Sequence, residues 1–249
     1  MLSSETLFHF TNSLEKLKGI LRNEFYPHYS LEKYPLDPKK EPSILAIPMV
    51  SFCDIPLSEV KEHVKIYGYY GIGMSKNWAE KKGLNPVLYL YKGSDLAIGI
   101  EEMLISAANM QTLIEEEEKK RRTVLISLLN MFRYIKPFKG DFIRNGKLRK
   151  NYKFYNEREW RYIPDLKKYY ALTEEAFQDL KKHKEKDEKL KVTKLTFEPK
   201  DIKYIIIKNE EEISGMVEAL QHIKSKYDPH TVKILTTRII SYKQIKEDV

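Results

Sequence analysis

The sequence predicts an α+β domain, and three observations set that class. Short apolar segments of strand propensity recur along the chain without the regular strand–helix alternation of a parallel α/β fold. One stretch from about 95 to 134 carries helical periodicity almost throughout. No internal repeat and no Gly/Ser-rich linker divides the 249 residues. Residues 1–249 are therefore expected to form a single domain with a helical insertion at about 95–134.

Leu7 to Thr11 is the first expected strand, and Asn12 or Ser13 caps a helix that places Leu14, Leu17, Ile20 and Leu21 on one face. Tyr26 to Pro48, rich in Pro, Tyr and Lys, is expected as an irregular loop. Strand resumes at Ile47 to Phe52. Pro56 to Glu59, with Ser58 as cap, then opens a helix that runs to about Tyr67 and ends at Gly68. Gly71 to Met74 reads as a short strand, Lys76 to Lys82 as a brief helix stopped by Gly83, and Pro86 to Tyr91 as a strand of good propensity. Within the insertion, Glu115 to Arg122 aligns four acidic residues over four basic ones at i, i+4, which makes a solvated helix face rather than a site. After Pro137 irregular chain is expected up to Glu157. Thr173 to about Lys189 reads as a polar helix, and Lys191 to Phe197 and Ile202 to Lys208 as strands flanking the turn Glu198-Pro199-Lys200-Asp201. Glu210 to Ile223 is an amphipathic helix and Thr231 to Thr236 a last strand.

Composition bounds the function. Hydrophobic content of 42% with 17 Tyr and 10 Phe belongs to a folded globule. No apolar run approaches membrane-spanning length and the first residues lack a charged-then-apolar layout, so a cytoplasmic protein without a membrane partner is expected. Cys53 is the single cysteine, which excludes an intramolecular disulfide and a Cys-based zinc cluster and reads as a buried structural thiol. A net charge of +8 favours polyanionic partners. Phosphate-loop, dinucleotide-fingerprint, zinc-protease and Gly-x-Ser-x-Gly motifs are absent.

The most informative stretch is Asn156-Glu157-Arg158-Glu159-Trp160-Arg161. On an extended strand Glu157, Glu159 and Arg161 project to one face, with Arg158, Trp160 and Tyr162 on the other. Such a row can hold a hydroxyl, a ribose or a cationic transition state, or it can be a solvated ion-pair strand. On the first strand His9 and Thr11 share a face, suited to hydrogen-bonding a ribose or amide, or to a satisfied core histidine. Met49 to Ser58 ends a strand in small polar groups and an acid, as a pocket rim does. Tyr67-Gly68-Tyr69-Tyr70-Gly71 offers flat stacking surfaces beside approachable backbone, or packed aromatics at a turn. From Arg133 to Lys153 eight basic residues, among them Arg144, Lys147, Arg149 and Lys150, face the single acid Asp141 with Tyr134, Phe138, Phe142 and Tyr152 interleaved. That composition grips phosphate and stacks bases, or makes a solvated basic loop.

Taken in order, Phe8-His9-Phe10-Thr11 with Leu17-Lys18-Gly19-Ile20-Leu21, the Met49 to Ser58 stretch, Tyr67-Gly68-x-Tyr70-Gly71-Ile72-Gly73-Met74 with Trp78, and Glu157-x-Glu159-Trp160-Arg161 resemble the AbiGi-type family of abortive phage-resistance proteins. Phe197-x-Pro199-x-Asp201-Ile202 is similar as well. The resemblance implies a role in bacterial antiviral defence within a two-gene toxin–antitoxin system, with a cognate toxin or antitoxin protein as partner. The same arrangement resembles, more distantly, the ADP-ribosyltransferase superfamily. That likeness implies a split mixed sheet and NAD as co-substrate, with ADP-ribose passing to a macromolecule such as nucleic acid. His9, with Thr11 beside it, would hold the nicotinamide ribose. Tyr70, or else Tyr69 or Ser51, would stack on nicotinamide. Glu159 would be catalytic and Glu157 would orient the acceptor, while Arg144, Lys147, Arg149, Lys150 and Arg161 would contact acceptor or phosphate. A carboxylate fixed against the ribose hydroxyl would stabilise the oxocarbenium-like charge as it develops. The sequence departs from that pattern in reading Ser51-Phe52-Cys53 on its middle strand and in carrying the helical insertion. A non-catalytic antitoxin or regulator that binds a partner protein or DNA is the first alternative, and an NAD-consuming hydrolase the second.

Overall fold

In the computed structural model, residues 4–109, 115–144, 146–164 and 190–248 are described. The strand β1 (Thr6–Thr11) lies in the middle of a mixed sheet because both of its faces are apolar: Leu7 enters one core and Phe8 and Phe10 another. It pairs antiparallel along its whole length with β4 (Tyr70–Ser75) and, at Phe8 opposite Cys53, with the end of β3 (Ser43–Cys53). The other half of β3 pairs over seven positions with β2 (His28–Tyr34). Two further strands, β10 (Glu159–Tyr162) and β5 (Asn85–Pro86), extend the sheet beyond β3. On the far side β4 is followed by β11 (Ile202–Ile207), which pairs in parallel with the edge strand β12 (Ile239–Ser241). The order is β12-β11-β4-β1-β3-β10-β5.

Helices cover both faces. Over the first lie α1 (Leu14–Asn23), α3 (Lys76–Lys81) and α6 (Ile213–Ile223), which pack Leu17, Leu21, Trp78, Met216 and Leu220 on Phe52, Ile72, Ile205 and Ile207. Over the second lie α2 (Val60–Tyr67) and α8 (Tyr242–Asp248), through Val60, Val64 and Ile245 on Phe8, Cys53 and Ile206. The insertion forms α4 (Asp95–Asn109) and α5 (Glu115–Phe132), and a third core joins Ala97, Ile100 and Phe132 to Tyr34, Ile47 and Met49 of the β2–β3 ribbon. Short strands β6 (Leu88–Leu90) and β7 (Ile135–Pro137) bracket the insertion in parallel, and β8 (Gly140–Arg144) with β9 (Lys147–Tyr152) makes a hairpin. Between α6 and β12 lies α7 (Pro229–Thr236).

The cap at Ser13, the stop at Gly68 and the helices α4 and α5 within the stretch of helical periodicity stand as the sequence predicts. Several elements differ. The expected loop Tyr26 to Pro48 contains β2 and the start of β3, because its residues pair with one another across the ribbon. The chain after Pro137 is a hairpin rather than irregular. Pro86 to Tyr91 divides between two sheets, and Lys191 to Phe197 holds only a 3₁₀ turn and one bridge from Leu195 to Phe25. Ser58 lies inside a 3₁₀ turn and caps nothing. Thr231 to Thr236 is helix: Asp228 accepts from the Thr231 amide and Pro229 takes the first helical position, two start signals that outweigh the β-branched pattern. The polar helix expected at Thr173 to Lys189 lies outside the described residues.

Candidate functional site

The stretch around Glu159 is reached by a break in the chain. Phe154 to Glu157 forms a 3₁₀ turn, and Arg158 follows with φ 44° and ψ 54°, a left-handed conformation that ends the turn and starts β10. Glu157, Glu159 and Arg161 are therefore not one strand row: Glu159 and Arg161 share a face of β10, while Glu157 enters from the turn before it.

The two carboxylates nonetheless converge on Lys136 of β7, and Arg161 joins them through Glu159. The Lys136 ammonium is 2.6 Å from Glu159 Oε2 and 2.9 Å from Glu157 Oε2. Glu159 Oε1 accepts from Ser51 Oγ and from Arg161 Nε, each at 2.8 Å. The Tyr67 hydroxyl donates to Glu157 Oε1. Arg161, fully buried, spends its remaining donors on Glu32 Oε2 at 2.8 Å and on the Arg133 carbonyl at 2.7 Å. The Tyr89 hydroxyl accepts the Glu159 backbone N–H at 2.8 Å. Glu159 itself is 5% exposed.

Three carboxylates thus face two cations away from water, and their charges depend on one another. Burial by itself would neutralise Glu159, but Arg161 and Lys136 outweigh it and hold the carboxyl well below the usual range. Burial likewise pulls Lys136 down, and Glu159, Glu157 and Glu32 more than offset that and hold it well above its ordinary value. A group placed this way carries charge at every physiological pH, with each oxygen already accepting a hydrogen bond. Among the described residues no group of three or more His, Cys, Asp or Glu could hold a metal ion.

Register decides which predicted site residues meet. Glu159 pairs with Cys53 and Cys53 with Phe8, and residues paired across strands project to the same face. Ser51 and Glu159 consequently lie on the α2 face of the sheet. His9, one residue beyond Phe8, projects to the other face, against Phe25 and Phe52, and its Nδ1 lies 2.8 Å from the Ser51 carbonyl. Burial lowers its pKa. Thr11 pairs with Tyr70 on that same face, and the Tyr70 hydroxyl donates to Glu212 at 2.8 Å. Tyr69 packs edge-on against Tyr242. Arg144 lies over the Tyr67 ring at 4.6 Å and, with Phe10, Thr11, Asn12 and Lys16, lines a recess of about 110 Å³. Lys147, Arg149 and Lys150 lie on the hairpin strand β9, Lys147 and Lys150 exposed and Arg149 half-buried. The sheet thus brings Ser51 to Glu159 and places His9, Thr11 and Tyr70 behind it. The sequence carries no sign that Lys136 meets these two carboxylates or that Glu32 meets Arg161, the latter pair lying 129 positions apart in the chain.

The family model described as "Putative abortive phage resistance protein AbiGi, antitoxin" matches residues 23–208. An abortive phage resistance protein AbiGi of Lactococcus lactis subsp. cremoris is 31% identical over 232 residues, covering 81% of this chain and 88% of the relative. No solved structure gives a significant match. The match runs from the end of α1 through β11 and so takes in the insertion, the hairpin and the whole carboxylate network. This chain belongs to the AbiGi family of abortive phage-resistance proteins.

Proposed function

We propose that this protein is the antitoxin-type member of a two-gene phage-defence system and restrains a toxin by direct contact, not by chemistry of its own. The observation that carries this reading is the closure of the carboxylate network: Glu159 and Glu157 have every oxygen engaged by Lys136, Arg161, Ser51 or Tyr67. A substrate hydroxyl would have to displace a charged, buried partner to reach either. Among the described residues, one surface open to a protein partner is the insertion. On α4 Leu96 and Met103 are both exposed and lie seven residues apart, hence on one side of the helix; Val124 and Met131 repeat that spacing on α5. The description of the family as antitoxin supports a cognate toxin as the occupant of this apolar face.

Co-expression with the toxin encoded beside it tests the reading. Wild type should restore growth and co-purify with the toxin. The double variant Leu96→Asp, Met103→Asp should lose both, with affinity down about thirtyfold or more, while its far-ultraviolet spectrum and melting stay close to wild type. Undiminished rescue by that variant would remove the insertion as the contact surface.

A second reading is favoured by one contact, the 2.8 Å bond from Ser51 Oγ to Glu159 Oε1. In it Glu159 supports ADP-ribose transfer from NAD to a macromolecule such as nucleic acid, Glu157 orients the acceptor, and Lys136 must first release Glu159. Incubation with labelled NAD and cell extract separates the cases. Label reaching RNA, DNA or protein with wild type and not with Glu159→Gln supports transfer, and nicotinamide release without labelled macromolecule supports hydrolysis. Neither signal leaves the binding reading standing.

A further inference from the structure

At the end of the first core, away from the carboxylate network, the C-terminal ends of α1 and α6 meet the segment around Lys194 and enclose a recess of about 250 Å³. Arg22, Lys194, Lys224 and Lys226 line it, against the single carboxylate of Glu24, which pairs with Lys194 at 2.7 Å. Part of that positive charge answers the two helix ends, each equivalent to about −0.5 of a charge. Four cations against Glu24 and two such ends still leave an excess of about two positive charges.

Lys224 is the unusual member. It is only 4% exposed, with its ammonium 4.9 Å from the Phe197 ring centre, and among the described residues neither a hydrogen bond nor an ion pair engages that ammonium. A lysine whose stem is buried on Phe197 while its ammonium opens onto the recess without an ion pair of its own is placed to meet an incoming anion. Burial and the neighbouring Lys226 lower its pKa, with Glu24 opposing, which is the behaviour of a cation short of counter-charge. Tyr227 adds a flat wall on which Lys226 lies, 5.3 Å from the ring centre.

We propose that this recess binds the phosphate or diphosphate group of a small phosphorylated molecule, with Lys224 as the central contact and Arg22 and Lys226 flanking it. Its volume is below the ~300 Å³ at which drug-sized ligands begin, so it suits the anionic group of such a molecule better than a whole dinucleotide. Charge-assisted bonds from two or three cations supply the affinity. The proposal is independent of the antitoxin reading, because its residues belong neither to the insertion nor to the network around Glu159.

Calorimetric titration of the full chain with inorganic phosphate and pyrophosphate tests it. Wild type should bind pyrophosphate saturably, and Lys224→Met, which keeps the stem on Phe197, should weaken that by about tenfold or more. Lys226→Gln, at an exposed position, should weaken it by a smaller factor and carries the test should Lys224→Met not fold. Lys16→Gln, at the separate recess beside Tyr67, should bind as wild type does. Absence of saturable binding by wild type, or equal binding by all three variants, overturns the proposal. So does Lys224-dependent binding of a short single-stranded oligonucleotide without pyrophosphate binding, since the ligand would then be a nucleic-acid backbone.

Discussion

Arg161 is the residue on which the centre of the molecule depends. Among the described residues it is the largest fully buried side chain, and a guanidinium removed from water is tolerable only because its donors reach Glu159, Glu32 and a main-chain carbonyl at once. Glu159→Gln keeps the shape and removes the charge, leaving Lys136 and Arg161 under-compensated. That change should cost about 3–5 kcal/mol, measured by urea unfolding, where breaking one partner of a buried pair commonly falls. A loss under ~1 kcal/mol would mean that solvent already screens the network. Acid should act on the same region. His63 stacks on Tyr67 at 4.3 Å, and burial, with Lys136 and Arg144 nearby, pushes its pKa down to about 3. The unfolded chain takes up that proton near 6.5 and the folded chain does not, so stability falls as the pH drops from about 6.5 toward 3. Glu159 is depressed in the fold, so its contribution is complete above the unfolded value of 4.5 and lost as acid passes below it. His63→Gln should therefore flatten the decline in urea midpoint between pH 6.5 and 5, and His9, lowered in the same direction, should leave a residual slope. An identical slope in wild type and variant would show that His63 titrates normally in the fold.

Among the elements, β4 shows best how local sequence serves packing. Gly71 lies opposite Phe10 in the register with β1, and a Cβ placed there would sit 2.8 Å from the Phe10 ring. The glycine is the socket for that ring, so Gly71→Ala should destabilise by about 1–3 kcal/mol through overpacking, read from the thermal midpoint. A midpoint equal to wild type would show that Phe10 moves aside freely. The tyrosine–glycine run is legible in the sequence as aromatic surface beside open backbone, and the structure makes the aromatic neighbours internal. Elements with strong punctuation, such as α1 behind Ser13 and α2 before Gly68, are readable because the signal is local. The β2–β3 ribbon is not, since polar His28, Ser30 and Glu32 become strand only through their partners on β3. The start of α7 is legible too, because Asp228-Pro229 is a local start signal that outweighs the β-branched residues after it.

At the scale of the whole molecule, the sheet is a partition between two helical layers, and it sorts the candidate site. The sequence shows that Glu159 and Arg161 share a strand face, and it shows His9 with Thr11 on another strand. It carries no signal for the register that turns these pairs away from each other, because that register is set by a single opposition, Phe8 to Cys53, across 45 positions. Nor does it show that the basic stretch divides, with Lys136 drawn inward to the carboxylates and Lys147 and Lys150 left on the hairpin surface. Cys53 stands where the three central strands β1, β3 and β10 meet, and its thiol donates to the Phe8 carbonyl at 3.3 Å while burial and then Glu157 push its pKa well up. As the one sulfhydryl of the chain, it is silent toward alkylating reagents for as long as those strands remain zipped together. The uptake of a thiol label by the native protein is therefore a stopwatch already built into the polypeptide, timing the rarest excursion of the sheet and unmoved by fraying at the surface.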